Sequence, residues 1–463
     1  MRMTRKRRAY EMVRRLGLSR PCLLVTNGDL VKETANYIAN LVMKETAPIQ
    51  RIAVVYSYGG RRGDLKRLQA LLMENIGKAP LLTVHTLAYK VLTRCLRKTK
   101  CGKAMPSLIM NNKQEEIARL AMAQVGIEFE VSKIDLLLKM VRGAKSHLFY
   151  PPYEEGETNT NLDFLRFYNA YEKNLQKQKA YDYEDLIGHA FALLRDNPWL
   201  LEEFRFKFRY FVVYNYQQLT YAQKCFLALL TGQGREIGLF GLGSDDYYLD
   251  NELFTWKNAI NDFRIDYPTG EIIIGEAYPN TTRQIAEAAY NIMKNKSFRI
   301  EKNDKRFLKS LPKGMEVSSF VAQDAMSELK YVLAQLKKLF KEGIALNEIA
   351  LVFYNPKYIG ISARMLKEAN IPYAGQTKGP LSLEEQGVHL TSLSMVKNQF
   401  FDYAFLVGLD MQVAENEDSC LNGIFAGITR ALKKLYLTMA ESRKGFKKEN
   451  LTNEVLALFQ LKK

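Results

Sequence analysis

The sequence predicts an α/β protein built from two parallel-sheet lobes, with a helical domain inserted into the first. Three observations carry this. Short apolar runs recur along the chain, each followed by a turn and a helical pattern. A long central block shows helical periodicity and few strand signals. The length, 463 residues, is well beyond what one hydrophobic core serves.

Pro21 to Thr26 (PCLLVT) reads as a buried strand followed by a Gly-containing turn and a helix. Arg51 to Tyr56 (RIAVVY) is a second buried strand. Its Gly59-Gly60 turn leads into an amphipathic helix through Leu65, Leu68, Leu71 and Leu72. From Asn111 to about Phe206 the period becomes helical, interrupted by a turn region at Pro151, Pro152 and Gly156. Strands return at Tyr210 to Tyr214, Ile237 to Leu242, Ile272 to Ile274, Ile349 to Tyr354, Val388 to Thr391, Tyr403 to Leu409 and Lys434 to Met439. The expected partition is 1–105 and 206–275 for the first lobe, 106–205 for the helical insertion and 276–463 for the second lobe.

Hydrophobic content of 47% with 25% charged residues is ordinary for a folded protein and excludes global disorder. Apolar stretches such as Tyr210 to Val213 and Cys225 to Leu230 fall far short of a bilayer span of roughly 20 residues, and the basic start lacks a secretory apolar core. A cytoplasmic location with no membrane partner is expected. Cys22, Cys95, Cys101, Cys225 and Cys420 are scattered without a CxxC pair, which argues against a disulfide framework and against a structural metal site. Lys plus Arg total 67 against 50 Asp plus Glu, a net charge of +17 that favours polyanionic partners, nucleic acid first.

The most specific stretch is Ala180 to Gln218, AYDYEDLIGHAFALLRDNPWLLEEFRFKFRYFVVYNYQQ. It resembles the segment of the UvrD/Rep/PcrA-type superfamily 1 helicases in which a DFDDLL-like element and an RFRY element lead to VDEYQD. Asp182, Tyr183, Glu184, Asp185 and Leu186 match the first element, and Phe208, Arg209 and Tyr210 the second. The resemblance implies two RecA-like lobes of P-loop NTPase type. Where the family carries its Mg-binding Asp and catalytic Glu, this chain has Tyr214 and Asn215, followed by matching Tyr216 and Gln217. A phenol and a carboxamide offer neither the hard anionic oxygen that Mg²⁺ takes nor a base for the attacking water.

The family's AGxGSGKT phosphate loop is represented by Asn27-Gly28-Asp29-Leu30-Val31-Lys32-Glu33-Thr34, in which only Gly28 and Thr34 match and Glu33 falls at the lysine position. A phosphate cradle needs glycines, so that successive N–H groups converge, and a lysine; Lys32 is one residue away. Thr83 to Ala88 (TVHTLA) resembles the TxHSFA motif that contacts single-stranded DNA, which implies DNA-side roles for His85 and Thr86; a satisfied turn or core histidine is the alternative. Tyr56, Ser57 and Tyr58, with Arg62 just beyond, occupy the place of TFTNKAA, where an aromatic stacks a base; otherwise Tyr56 is simply a strand end.

Gly241 to Tyr248 stands for GDxxQSIYxFRGA with the phosphate-sensing Gln lost, Asp245 among the altered positions and Tyr248 at the tyrosine. In the NYRST-like Ala277 to Thr282, Pro279 replaces an arginine that reaches the γ-phosphate, and Tyr354 stands where the EIAVLYR-like element ends in tyrosine or arginine. Val388 to Leu409 keeps the framework of TIHKSKGLEFDxVFLVGL without its His, Gly and Glu. Phe425 to Thr438 is close to YVAxTRAKxxLYLT, so Arg430 matches the arginine finger. Only about 15 residues separate Tyr373 from Val388, where the family inserts a second helical domain, so that accessory domain is expected to be missing.

Three functional readings follow from the resemblance. The favoured one is a pseudo-helicase that binds single-stranded DNA, or RNA, without efficient ATP hydrolysis. The second is an inactive scaffold for a protein partner such as a nuclease or an active motor. The third is an ATP-driven translocase with a site re-routed through Lys32 and Arg430, beside the residual nucleotide-site matches Gly28, Thr34 and Gln217, and only in that case are ATP and Mg²⁺ cofactors.

Overall fold

The computed structural model describes residues 20–26, 30–44, 47–57, 62–98, 105–110, 112–151, 162–232, 237–244, 254–256, 258–275, 281–293, 308–309, 311–375, 387–393, 396, 399–409, 417–442 and 453–460. Two six-stranded sheets organise them. The first is built from β1 (Cys22–Val25), β2 (Ile52–Tyr56), β3 (Leu81–Thr83), β6 (Tyr210–Tyr214), β7 (Gly238–Gly243) and β8 (Glu271–Ile274), in the order β3-β2-β6-β7-β1-β8. Every pairing in it is parallel. Around it lie α1 (Leu30–Lys44), α2 (Arg62–Asn75) and α3 (Val84–Lys98).

Between β3 and β6 the chain forms β4 (Ser107–Leu108), α4 (Asn112–Val125), α5 (Val131–Ser146), α6 (Leu162–Lys177), β5 (Ala180–Tyr181), α7 (Asp185–Asp196) and α8 (Pro198–Lys207). Helices α9 (Tyr221–Leu230) and α10 (Phe263–Asp266) complete this half.

Parallel strands need crossover connections that cover the sheet, so both faces are buried and the strands read as continuous apolar runs. The period of two then assigns side chains to opposite faces. Leu23, Val25, Ala53, Val55, Phe211 and Val213 share one core with α3, α7, α8 and α9. Cys22, Leu24, Ile52, Val54, Val212 and Tyr214 share the other with α1 and α2. Each fully buried aliphatic or Phe side chain among them contributes about 1.5–3 kcal/mol. The insertion has its own core from α4, α5 and α6, centred on Phe167, Tyr168 and Tyr171.

The second sheet comprises β9 (Ser318–Asp324), β10 (Ile349–Phe353), β11 (Tyr373–Gly375), β12 (Val388–Ser392), β13 (Phe401–Val407) and β14 (Ala431–Ser442), ordered β11-β12-β10-β13-β14-β9 and again parallel. Helices α11 (Arg283–Met293), α14 (Glu417–Ile428) and α15 (Asn453–Leu458) close one face over Ala350, Val352, Ala404 and Leu406. Helices α12 (Ala325–Lys341) and α13 (Lys357–Glu368) close the other over Ile349, Leu351, Phe353 and Phe405. The α/β class with two RecA-like parallel sheets and a helical insertion is therefore what the chain adopts. Among the described residues no helix is long and apolar enough to cross a membrane.

The structure adds strands that the apolar runs do not announce. β3, β9 and β11 are sheet edges, and β4 pairs with β5 inside the stretch expected to be helical.

Candidate functional site

The nucleotide-side positions come first. Thr34 is fully buried in the first turn of α1, and its hydroxyl donates to the Leu30 carbonyl at 2.6 Å, so it is spent within its own helix. Lys32 is exposed on the same turn and Glu33 is half-buried. Tyr214 ends β6 fully buried, in the core beneath α1. Asn215 follows in the left-handed region, φ 57°, a conformation that Asn tolerates better than bulkier residues. Gln217 is buried with its side-chain oxygen accepting from the Ser244 N–H at 3.2 Å, which ties the end of β6 to the end of β7. A Cβ at Gly243 would meet that oxygen at 2.7 Å, so glycine makes the contact possible.

Arg430 is 1% exposed. Its Nε donates to the Ala426 carbonyl at 3.1 Å, a terminal nitrogen donates to Thr429 Oγ1 at 3.1 Å, and the guanidinium lies over the Phe400 ring. Tyr354 is half-buried against the core beneath α11, its N–H donating to the Val407 carbonyl. Gly28, Tyr58, Asp245, Tyr248 and Pro279 lie outside the described residues, as does the side chain of Arg62.

Of the positions expected to face nucleic acid, Ser57 and His85 line a cavity of ≈ 190 Å³ between the first sheet and the insertion. Thr83 ends β3 and caps α3: its hydroxyl oxygen accepts from the Thr86 N–H at 2.9 Å. That cap places His85 in the first helical turn, turned inward, with Thr86 exposed. The His85 ring stacks on Tyr183 at 3.9 Å between centroids, 24° from parallel. Burial pushes the His85 imidazole down to about 3, which keeps it neutral at physiological pH. Ser57, just beyond β2, lines the same cavity, while Tyr56 stays half-buried in the strand, in register with Thr83 and Tyr214.

Gln114 of α4, Arg142, Lys145 and Ser146 of α5 and Glu184 of the turn before α7 supply the polar wall. Burial, then the neighbouring Asp182 carboxylate, pushes the Glu184 carboxyl up to about 7. Thr220 and Gln223 close the floor, where they form a reciprocal capping box at the start of α9, both bonds at 3.2 Å.

Lys145 of the same wall is the centre of a buried ionic hub. Lys145 Nζ of α5 is 2.7 Å from oxygens of Glu172, Asp182 and Asp185. Burial alone would lower the Lys145 pKa, but the three carboxylates outweigh it and hold it well above the usual range. One cation does not neutralise three carboxylates, so burial raises the pKa of both Glu172 and Asp185. The carboxylate oxygens lie within 4.8 Å of one another, a spacing that suits a metal ion, and the lysine ammonium occupies their centre. Asp182 and Asp185 also exchange backbone bonds, Asp182 N–H to Asp185 Oδ2 at 3.0 Å and Asp185 N–H to Asp182 Oδ1 at 3.1 Å.

Beside this region is an aromatic group that motif matching did not single out. His147 faces Tyr221 at 6.3 Å and Trp256 edge-on at 5.7 Å, and Tyr221 and Trp256 are 5.3 Å apart. His147 is exposed and Trp256 half-buried, its indole N–H donating to Asp262. Lys224 sits below, 3.2 Å from Asp262 and 2.9 Å from Asp266, and over both the Tyr221 and Trp256 rings. Phe254, two residues before Trp256, lines the cavity. The signal available in the sequence was the Phe254-x-Trp256 spacing a few residues past Tyr248.

The UvrD/REP helicase N-terminal domain family matches this chain over residues 35–261. The ATP-dependent DNA helicase PcrA of Leuconostoc citreum is 22% identical over 346 residues, covering 73% of this chain and 45% of that protein. PcrA of Staphylococcus epidermidis RP62A is 22% identical over 339 residues, covering 71% and 45%. PcrA of Staphylococcus aureus Mu50 is 21% identical over 336 residues with the same coverages of 71% and 45%. The chain thus spans less than half the length of these curated relatives. A solved C-terminal domain of a possible DNA helicase aligns with 36% of this chain and 88% of its own at 19% identity, with a TM-score of 0.28, too loose to add to the sheet topology. With the family's N-terminal domain at 35–261 and PcrA relatives along most of its length, the chain is a UvrD/PcrA-like, helicase-related protein.

Proposed function

We propose that this chain binds single-stranded nucleic acid passively, with DNA as the first ligand, and does not run an efficient ATP cycle. The observation that carries the reading is the His85–Tyr183 stack in the wall of a cavity lined by both apolar and polar side chains. Stacked aromatics beside donors and acceptors hold one base by its face and its edge. At ≈ 190 Å³ the cavity is smaller than the ~300–1,000 Å³ clefts that enclose drug-sized ligands, a size that suits a base better than a nucleoside triphosphate. The net charge of +17 supplies attraction to the backbone.

The loss of ATP chemistry is supported by side-chain identity and placement. Thr34 is back-bonded, Tyr214 belongs to the core, and Arg430 is folded onto α14. In this reading 1–105 and 206–275 form the first lobe, 106–205 the insertion and 276–463 the second lobe, and the protein works in the cytoplasm, where its nucleic acid is. The alternative is a scaffold with a nuclease or motor as partner.

The test is binding of a fluorescent oligo-dT by anisotropy across a salt series, with ATP turnover measured on the same sample with and without the oligomer. Binding that falls steeply with salt, without turnover above background, is the expected result. Undetectable binding at low salt would overturn the reading. So would DNA-stimulated turnover that co-elutes with the chain.

A further inference from the structure

The ionic hub and the cavity share one short turn, Asp182-Tyr183-Glu184-Asp185. Its two outer residues point into the hub and its two inner residues line the cavity. The outer pair is held twice over, by Lys145 Nζ at 2.7 Å from each carboxylate and by the reciprocal backbone bonds between the two aspartates. Tyr171 of α6 adds a hydroxyl that donates to Asp182 Oδ2 at 3.2 Å, and Glu172 of the same helix binds the same ammonium. Lys145 therefore joins α5, α6 and the start of α7 at one atom. Lys145 is among the residues lining the cavity, but its side chain has no exposed surface and its ammonium is engaged by the three carboxylates.

We propose that Lys145 is a positioning residue of the base pocket: it holds the Asp182–Asp185 turn closed and thereby keeps the Tyr183 ring against His85. The inference rests on the proposed binding function for its purpose, but the geometry it asserts exists without ligand. Removing the ammonium leaves three carboxylates facing one another in a buried site, and they separate or take up protons. Either response loosens the turn whose inner residue is Tyr183. Other side chains of the wall, such as Arg142, reach the cavity from α5 directly and do not depend on that turn.

Two readouts test this, one of them independent of nucleic acid. The chain has four histidines, so ¹³C-histidine labelling gives four Cε1–H signals, one per imidazole, and His85→Gln identifies one of them. Stacking on Tyr183 shifts the His85 ring proton by ring current. Lys145→Met should move that signal most of the way to the position it takes in Tyr183→Ala. If it stays at the wild-type position in folded Lys145→Met, the inference is overturned.

The second readout is a binding cycle with oligo-dT. Lys145→Met should weaken binding at least tenfold with the salt slope unchanged, and should cost nothing further in a Tyr183→Ala background. Losses that multiply independently would overturn the positioning role. A wild-type protein that does not bind overturns the binding reading alone, because the ring-current comparison still decides the geometry. Should Lys145→Met fail to fold, Lys145→Met with Glu172→Gln and Asp185→Asn removes two of the stranded charges, and the same ring-current comparison is made on that variant.

Discussion

The rings of His85 and Tyr183 lie 3.9 Å apart although the helices α4 to α6 separate them in the chain, His85 coming from α3 and Tyr183 from the turn before α7. Base stacking on such a ring is worth about 1–3 kcal/mol, or roughly 5- to 150-fold in affinity. Tyr183→Ala is expected to weaken oligo-dT binding within that range, and Tyr183→Phe to keep most of it. Anisotropy titration of the three proteins at one salt concentration decides the matter; equal affinities would remove Tyr183 from the interface.

Arg142 is exposed at the cavity wall, where a guanidinium suits a phosphate. Each phosphate neutralised adds about one unit to the slope of log affinity against log salt, slightly less for single strands. Arg142→Ala should therefore bind more weakly and with a slope shallower by about 0.7. An unchanged slope would place Arg142 away from the backbone path.

Glu184 gives a pH signature. Its carboxyl titrates at about 7 in the fold, pushed up by burial and by Asp182, against an ordinary value near 4.5 in the unfolded chain. A raised pKa means that the folded state holds its proton where the unfolded state has released it, so stability from this group is complete below about pH 4.5 and is lost as pH rises through 7. His85 acts oppositely: held neutral down to about 3, it loses stability as pH falls below its unfolded value of 6.5. Comparing Glu184→Gln with wild type cancels the histidine. The variant should gain melting temperature relative to wild type progressively from pH 5 to 8; a constant difference would refute the assignment.

Arg430 offers a test of structural against catalytic use. Two hydrogen bonds and a ring contact hold it inside the second half of the molecule. A hydrogen bond to a charged group contributes about 1.5–3 kcal/mol. Arg430→Ala should therefore lower the urea midpoint by an amount equivalent to about 2 kcal/mol or more, with oligo-dT affinity unchanged at low denaturant. A variant of wild-type stability would mean that the arginine serves something other than the fold.

The central strands were legible because parallel sheets bury both faces, which makes IAVVY, YFVVY and IALVF continuous apolar runs. The strands that escaped notice are those for which that rule weakens. β9, SSFVAQD, lies at an edge with most of its side chains half-buried, and β3 and β11 are three-residue edges. At the site, His85 and the Asp182–Asp185 stretch were visible as family motifs, but their meeting was not. Lys145 was invisible, because a lysine in an amphipathic helix reads as solvated surface until three carboxylates from other elements are seen to surround it.

The two-residue ladder of β4 and β5 has a consequence of its own. Ser107 lies beside Ala180 and Leu108 beside Tyr181, so the chain leaves for the helices α4 to α6 and comes back at a single point. Those helices have a private core. The arrangement is that of a cassette plugged into a socket: one bundle could be exchanged for another, or trimmed to a short loop across the ladder, without re-routing any strand of the first sheet. Exchange of the bundle, in evolution or in the laboratory, would leave the turn at Asp182–Asp185 in need of a new partner for its charge.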